Sequence, residues 1–226
     1  EPDSCKLIVV DGIYSMEGDI APLPQICDLC DQYNASVMVD DAHSLGVLGK
    51  NGRGTADHFG LTDRVDLIMG TFSKSFGSLG GFIAGDHEIL NYLKHNSRAL
   101  IFSASMTPAA VASAGKALDI MLTEPERFDH LWELTRYAQK AFKDAGFDTG
   151  RTESPIIPLF VRDTEKAMAI VSLALAEGVF VTPVIAPAVA RGDELIRFAL
   201  MATHTKEQVD FAVEKLTKVF KSLEIL

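Results

Sequence analysis

Residues 66–84 read DLIMGTFSKSFGSLGGFIA, and this segment is the most informative about the fold. Its apolar ends, Asp66–Met69 and Gly81–Ala84, each predict a strand. Between them, hydroxyl residues and glycines surround Lys74. Glycines let the backbone approach a ligand closely, and the hydroxyls of Thr71 and Ser73 could bind phosphate. Taken alone, the segment leaves two interpretations open, a solvated lysine in a flexible loop or a reactive amine.

The segments that precede this stretch predict a mostly parallel sheet. Lys6–Val10 (KLIVV) and Ser36–Asp40 (SVMVD) have the apolar pattern of buried strands, and Pro22–Tyr33 between them has a helical pattern. Residues 42–60 are rich in glycine and polar residues and predict a long loop. Strands that alternate with helices indicate an α/β fold, in which ligands lie beyond the carboxyl ends of the strands.

The C-terminal part of the chain has a mixed pattern and predicts a second domain. Helices are predicted over Thr107–Leu122, Pro125–Gly146 and Thr164–Glu177 and from a capping box at Thr205–Gln208, with strands at Ile156–Val161, Val179–Thr182 and Ile196–Ala199. We therefore predict a large domain over residues 1–122 and a small α+β domain over residues 123–226.

Composition argues against several classes of protein. The formal net charge of -10 is opposite in sign to that of a general nucleic-acid binder. No apolar run reaches the roughly 20 residues of a transmembrane helix. The three cysteines are few and odd in number, which argues against a disulfide framework. We therefore expect a cytoplasmic location. Cys27 and Cys30 form a C-x-x-C, but their helical spacing favours core residues over a metal site, so no metal is predicted.

An acid and a histidine follow the second predicted strand. Asp40 ends that strand, where it can meet a ligand, and His43 lies three residues further on. A carboxylate that faces a pyridine nitrogen keeps it protonated, which is what pyridoxal 5'-phosphate (PLP) needs in order to accept electrons from a carbanion. The alternative is that Asp40 caps a turn and that His43 is an ordinary loop residue.

Three other segments contain candidate binding residues. Ser15 lies in a glycine-containing loop after the first strand, and residues 102–108 (FSASMTP) place hydroxyls and amides before a helix N-terminus. Arg197 interrupts an apolar strand and has the geometry to bind a carboxylate. The alternatives are an ordinary loop at Ser15, helix capping by Thr107 and an edge-strand arginine at Arg197. Arg191 is interpreted as a surface residue.

In this order, the five segments resemble the α-oxoamine synthase family of fold-type I PLP enzymes. The similarity runs from DGIYSMEGD at residues 11–19 to MATHT at residues 201–205, and its most specific parts are DDAHS at 40–44 and GTFSKS at 70–75. The resemblance implies the C-terminal part of a PLP-binding large domain followed by a smaller α+β domain. It also implies that the missing N-terminal part of the family pattern would supply further cofactor and acyl-CoA contacts, so we expect residues 1–226 alone to be inactive or nearly so.

The resemblance also implies roles for individual residues. Lys74 would carry PLP as a Schiff base and act as the acid and base at the substrate α-carbon. The other implied contacts are Asp40 with the pyridinium nitrogen, His43 with the phenolic oxygen, Ser15, Thr71 and Ser73 with the cofactor, Ala104 and Ser105 with the phosphate of the neighbouring subunit in a homodimer, and Arg197 with the amino-acid carboxylate. Asp41 stands where many relatives have Glu and is not expected to touch the cofactor.

Within the family, TFSKS at residues 71–75 is most similar to bacterial serine palmitoyltransferases. The implied reaction joins L-serine to palmitoyl-CoA and gives 3-ketodihydrosphingosine, CoA and CO2, the first step of sphingolipid biosynthesis. The alternatives are a sister synthase such as 8-amino-7-oxononanoate synthase or 2-amino-3-ketobutyrate CoA ligase, a non-catalytic subunit and a generic α/β binding module.

Overall fold

The computed structural model describes residues 4–226, which form two compact units. The first unit contains the residues up to Ile13 together with Ala21–Phe128, and the second contains Tyr14–Ile20 together with Asp129–Leu226. The short segment Tyr14–Ile20 therefore belongs with the C-terminal part of the chain. The division into domains at residues 122 and 123 stays a prediction.

The first unit is built on a four-stranded sheet. Its strands are β1 (Leu7–Asp11), β2 (Ser36–Asp40), β3 (Leu67–Thr71) and β4 (Gly81–Gly85), and its helices are α1 (Leu23–Tyr33), α2 (Thr55–His58), α3 (His87–Asn96), α4 (Arg98–Ile101) and α5 (Pro108–Thr123). The strand order is β1-β2-β3-β4, and β1, β2 and β3 are parallel to one another. This confirms the predicted α/β class with a mostly parallel sheet.

Strand β4 is antiparallel to β3, and the length of the connection explains why. Residues 72–80 join the two strands, and a parallel crossover needs about a dozen residues or more, usually with a helix. A short loop returns the chain alongside the same strand in the opposite direction. The loop that carries Lys74 is therefore the turn of a hairpin.

The core of the first unit lies between α1 and β2. Val37 and Val39 alternate along β2 into a cluster with Leu23, Cys27 and Cys30. Burial raises the pKa of both cysteine thiols, as expected for core residues. Within residues 4–226, no group of His, Cys, Asp or Glu has an arrangement that could hold a metal ion.

The second unit contains a three-stranded antiparallel sheet and three long helices. Its elements are α6 (Glu126–Asp144), which begins at the boundary of the units, β5 (Ile156–Phe160), α7 (Thr164–Ala176), β6 (Thr182–Val184), β7 (Leu195–Ala199) and α8 (Lys206–Ser222). The strand order is β5-β7-β6, so β7 is the central strand. The predicted capping box is confirmed, since Thr205 and Gln208 each accept a hydrogen bond from the other's backbone amide. In the part of the chain that the structure describes, no helix is long and apolar enough to cross a bilayer.

Two sequence-based predictions of local structure were wrong. The strand expected at Val179–Thr182 lies instead at Thr182–Val184, which includes Pro183. Proline is tolerated because β6 is an edge strand, where a missing amide donor costs less. The predicted loop over residues 42–60 also contains α2 and a 3-10 helix at Lys50–Gly52.

Helices α3 and α4 were not predicted. No residue of α3 is buried, so this helix has no core-facing side like those of the predicted helices. The signals for both helices are local: the side chain of Asp86 accepts from the Glu88 amide, and that of Ser97 accepts from the Leu100 amide.

A matched pair of leucine substitutions tests the core of the second unit. Leu159 in β5 is fully buried, whereas Leu175 in α7 is 59% exposed. Leu159→Ala should lower the free energy of unfolding by about 2–5 kcal/mol because it leaves a cavity. Leu175→Ala should change it by less than about 0.5 kcal/mol. Urea unfolding of the two variants measures the difference, and equal losses would contradict the assigned core.

Candidate active site

The parallel register of β1, β2 and β3 brings their carboxyl ends to one edge of the sheet. Asp11 at the end of β1 pairs in register with Asp40 at the end of β2, and Asp40 pairs with Met69 of β3. Backbone hydrogen bonds continue past the strand ends, from the Gly12 amide to the Asp40 carbonyl and from the Asp41 amide to the Met69 carbonyl, both at 2.8 Å. Residues that follow these strands are therefore held close together.

The charges of Asp40 and Lys74 act on the Asp11 carboxyl at this edge. Burial raises the pKa of the Asp11 carboxyl, the negative charge of Asp40 raises it further, and the positive charge of Lys74 lowers it. Both Asp40 and Lys74 thus lie within electrostatic reach of the same carboxyl. Asp11 itself was given no role from the sequence. The signal for it was its position as the last residue of a strand next to the one that ends in Asp40.

The turn after β2 holds Asp40 and His43. The Ala42 amide donates to Asp40 Oδ1 at 2.9 Å, which is the turn-capping bond considered from the sequence. This bond uses one of the two carboxylate oxygens. The carbonyl of Asp41 accepts from the Ser44 and Leu45 amides at 3.0 and 2.8 Å, which closes the turn around the half-buried His43.

The loop that carries Lys74 is held by short polar contacts. The Thr71 hydroxyl donates to the Gly80 carbonyl at 3.2 Å and lies 2.9 Å from the Ser73 hydroxyl. The Ser75 hydroxyl donates to the Leu45 carbonyl at 2.6 Å, which ties this loop to the turn after β2. Lys74 itself is exposed.

Ala104 and Ser105 are exposed residues that precede α5. The side chain of Thr107 caps this helix by accepting from the Ala110 amide at 3.3 Å. The capping interpretation of Thr107 is confirmed. The contact of Ala104 and Ser105 with a phosphate stays a prediction.

Ser15 and Arg197 meet within the second unit. Arg197 Nε donates to the Ser15 carbonyl at 2.7 Å. Arg197 lies on the central strand β7, so the edge-strand alternative was wrong. Burial lowers the pKa of its guanidinium, as expected for a cation removed from water. Arg197 also lines a cavity of about 620 Å³, together with Phe180, Phe211 and His204.

Comparison with known proteins places this chain in a family. The family model described as Aminotransferase class I and II matches residues 1–216. The chain belongs to the class I and II aminotransferase family. The resemblance to PLP-dependent enzymes is thereby confirmed at the level of the family.

Relatives within the aminotransferase class I and II family have the names that the resemblance implied. The chain is 64% identical over 225 residues to a serine palmitoyltransferase of Bacteroides ovatus, covering 100% of this chain and 57% of the relative. It is 47% identical to an 8-amino-7-oxononanoate synthase of Thermosipho melanesiensis, covering 98% of this chain and 56% of the relative. The chain therefore spans little more than half the length of these curated relatives.

A solved structure supports the same assignment to the aminotransferase family. A high-resolution structure of SPT with PLP as an internal aldimine superposes with a TM-score of 0.95 at 33% identity. The match covers 100% of this chain and 57% of that one. The roles of the individual site residues stay predictions.

The influence of Asp40 and Lys74 on the pKa of Asp11 can be measured without any ligand. Asp40→Asn should lower the pKa of Asp11 because a neighbouring negative charge is lost, and Lys74→Met should raise it because a positive charge is lost. Carbon-detected NMR titration of the Asp11 carboxyl reports both shifts. Lys94→Met, which removes an exposed lysine of α3, serves as the control and should leave the titration unchanged. An Asp11 pKa that is unchanged in both variants would show that Asp40 and Lys74 do not both lie close to Asp11.

Proposed function

We propose that this chain is part of a PLP-dependent acyltransferase that condenses L-serine with a long-chain acyl-CoA, palmitoyl-CoA, to give 3-ketodihydrosphingosine. The observation that carries the proposal is that the parallel register of β2 and β3 and the hairpin turn after β3 bring Asp40 and Lys74 to the same edge of the sheet. Those are the acid and the amine that the cofactor requires. The 64% identity to a serine palmitoyltransferase supports the choice of reaction.

The residues at the edge of the first sheet fit PLP chemically. The cofactor needs an amine for its aldehyde, a carboxylate for its ring nitrogen and hydroxyl or amide donors for its phosphate. Lys74, Asp40, Thr71 and Ser73 provide these groups on a turn and a hairpin joined by the Ser75–Leu45 hydrogen bond. When bound, PLP supplies a protonated ring that withdraws electrons from the α-carbon of the amino acid.

Each side chain then has a defined task. Lys74 would hold the cofactor, and its amine would remove the proton from the α-carbon of serine. Asp40 would keep a proton on the ring nitrogen through its carboxylate charge, and His43 would hydrogen-bond the phenolic oxygen. Arg197 would bind the serine carboxylate, for which a bidentate guanidinium is well suited.

The overall reaction balances without an oxidant or a metal ion. A carbon–carbon bond forms between the serine α-carbon and the acyl carbonyl, and the carbon–sulfur bond to CoA breaks. The serine carboxylate leaves as CO2. The electron pair of the broken bond stays on the carbon skeleton, which then takes up a proton in place of the carboxylate. The residues of this chain bind and orient the amino acid and move protons at its α-carbon.

We further propose a homodimer whose active site lies at the subunit interface. Ala104 and Ser105 would contact the phosphate bound by the partner subunit, and Ser15 would add a further contact to the cofactor. The exposure of Ala104 and Ser105 is compatible with such a role. The cytoplasmic location expected from the sequence stays a prediction.

A sister synthase that uses alanine or glycine is the second candidate. The 47% identity to an 8-amino-7-oxononanoate synthase favours it over other reactions of the family. A non-catalytic subunit is disfavoured because such a subunit has no need for Lys74, Asp40 and His43 together.

Loss of the Lys74 amine should abolish both cofactor retention and turnover. In the natural full-length protein, Lys74→Ala should remove the visible absorbance band of bound PLP and reduce condensation to background, because no other amine follows β3 at this point. Lys94→Ala, on the exposed face of α3, is the matched control and should retain both. A Lys74→Ala protein with the band and the activity intact would exclude this lysine from its role.

The choice of substrate is decided by a pairwise assay. L-serine, L-alanine and glycine are each tested with palmitoyl-CoA and with short acyl-CoA thioesters, and kcat/KM is measured for every pair. Serine with palmitoyl-CoA should give the highest value, since the proposal is a serine palmitoyltransferase reaction. The highest value for alanine or glycine would establish the sister synthase instead.

A further inference from the structure

The carboxylate of Asp41 is buried although its neighbour Asp40 stands at the candidate site. Asp41 is 1% exposed, and the proposed function gives it no task. The Thr55 amide donates to both of its oxygens at 3.1 Å. A carboxylate held away from water in this way is costly unless its hydrogen bonds are complete.

Two hydroxyls complete the surroundings of Asp41. The Thr55 hydroxyl donates to the Ser44 hydroxyl at 2.8 Å, which leaves the single proton of Ser44 for the Asp41 carboxylate. Burial raises the pKa of Asp41, and hydrogen bonds from Thr55 and Ser44 act in the opposite direction. These donors give the Asp41 oxygens hydrogen-bond partners and so offset part of the cost of burial.

Two glycines leave the space that this carboxylate fills. A Cβ atom added to Gly12 would lie 2.4 Å from one oxygen of Asp41, and one added to Gly54 would lie 2.2 Å from the other. Both separations are far below van der Waals contact. Asp41 therefore connects the end of β1, the turn after β2 and the start of α2 in one tightly packed cluster.

The same cluster reaches the loop that carries Lys74. The Asp41 carbonyl accepts from the Ser44 and Leu45 amides, and the Leu45 carbonyl accepts from the Ser75 hydroxyl at 2.6 Å. A Cβ on Gly46 would lie 2.9 Å from Ser75 Cβ, so the turn and the loop are also in close steric contact. A shift of the turn would be transmitted to the residue that follows Lys74.

We propose that Asp41 is a positioning residue, which fixes the turn that carries Asp40 and His43 and, through Leu45 and Ser75, the loop that carries Lys74. The proposal rests on the proposed function for the meaning of that alignment. The contacts that fix the turn lie within the first unit and involve no cofactor.

Replacement of Asp41 by asparagine tests this role with almost no change in volume. The side-chain nitrogen of Asn cannot accept a hydrogen bond, so either the Thr55 amide or the Ser44 hydroxyl proton loses an acceptor. A buried donor that has lost its acceptor destabilises the turn. The structure predicts that the Ser44 and Leu45 amides become less protected.

Asp66→Asn is the matched control. Asp66 also accepts a backbone hydrogen bond, from the Val37 amide at 2.7 Å, but Val37 lies near the beginning of β2 and away from the candidate site. Both substitutions exchange one carboxylate for an amide on the same sheet. Only Asp41→Asn should disturb the turn.

The first measurement is hydrogen exchange in the full-length protein prepared without PLP. Exchange at the Ser44 and Leu45 amides should be faster by on the order of tenfold in Asp41→Asn, because a buried hydrogen-bond network is broken, and unchanged in Asp66→Asn. Unchanged protection in Asp41→Asn would overturn the proposal. If Asp41→Asn fails to fold, Ser44→Ala is used instead, because it removes one donor to the carboxylate. Hydrogen exchange at the Leu45 amide should then be faster than in the wild type, and unchanged exchange would overturn the proposal.

The second measurement is made with PLP bound. A misplacement of ~1 Å lowers turnover by on the order of 100-fold, so kcat should fall steeply in Asp41→Asn while KM for serine changes little. The pH titration of the cofactor absorbance should also shift, and the Asp66→Asn protein should match the wild type in both. Normal kcat and titration in Asp41→Asn would overturn the positioning role. If the wild-type protein fails to bind PLP, the proposed function fails, but the exchange comparison still decides whether Asp41 holds the turn.

Discussion

The candidate site depends on the parallel register of three strands. Because β1, β2 and β3 run in the same direction, their carboxyl ends reach one edge of the sheet, and Asp11 and Asp40 come into register there. Lys74 is added to this edge by a hairpin turn and not by a crossover, since β4 returns antiparallel to β3. Shifting β2 by one residue would turn its alternating side chains to the opposite face and remove Asp40 from the site.

A second layer of polar contacts supports the residues at the edge. The Asp41 carboxylate joins the end of β1, the turn after β2 and the start of α2, and the Ser75 hydroxyl extends this connection to the lysine loop. These contacts use backbone amides and carbonyls as much as side chains. The residues proposed to bind the cofactor are therefore held in place by other residues, which would not react themselves. Such support keeps the geometry of a site fixed during catalysis.

The sequence predicted most of the strands and helices, though not the position of β6, because apolar runs and caps are local signals. It also predicted Asp40, His43 and Lys74 as candidates, since each follows a strand. It did not predict the direction of β4, which depends on the length of a loop, or the central position of Arg197 in its sheet. The structural role of Asp41 was hidden because its partners, Gly12 and Thr55, are distant in sequence and meet only when the sheet forms.

Asp40 and Lys74 are proposed to bind one PLP ring. A crystal structure of the natural full-length protein with PLP would show both contacts. This shared binding predicts cofactor density continuous with Lys74 Nζ and an oxygen of Asp40 within about 3 Å of the ring nitrogen, the distance of a charge-assisted hydrogen bond. A ring bound elsewhere, or a ring nitrogen that faces away from the carboxylate of Asp40, would contradict it.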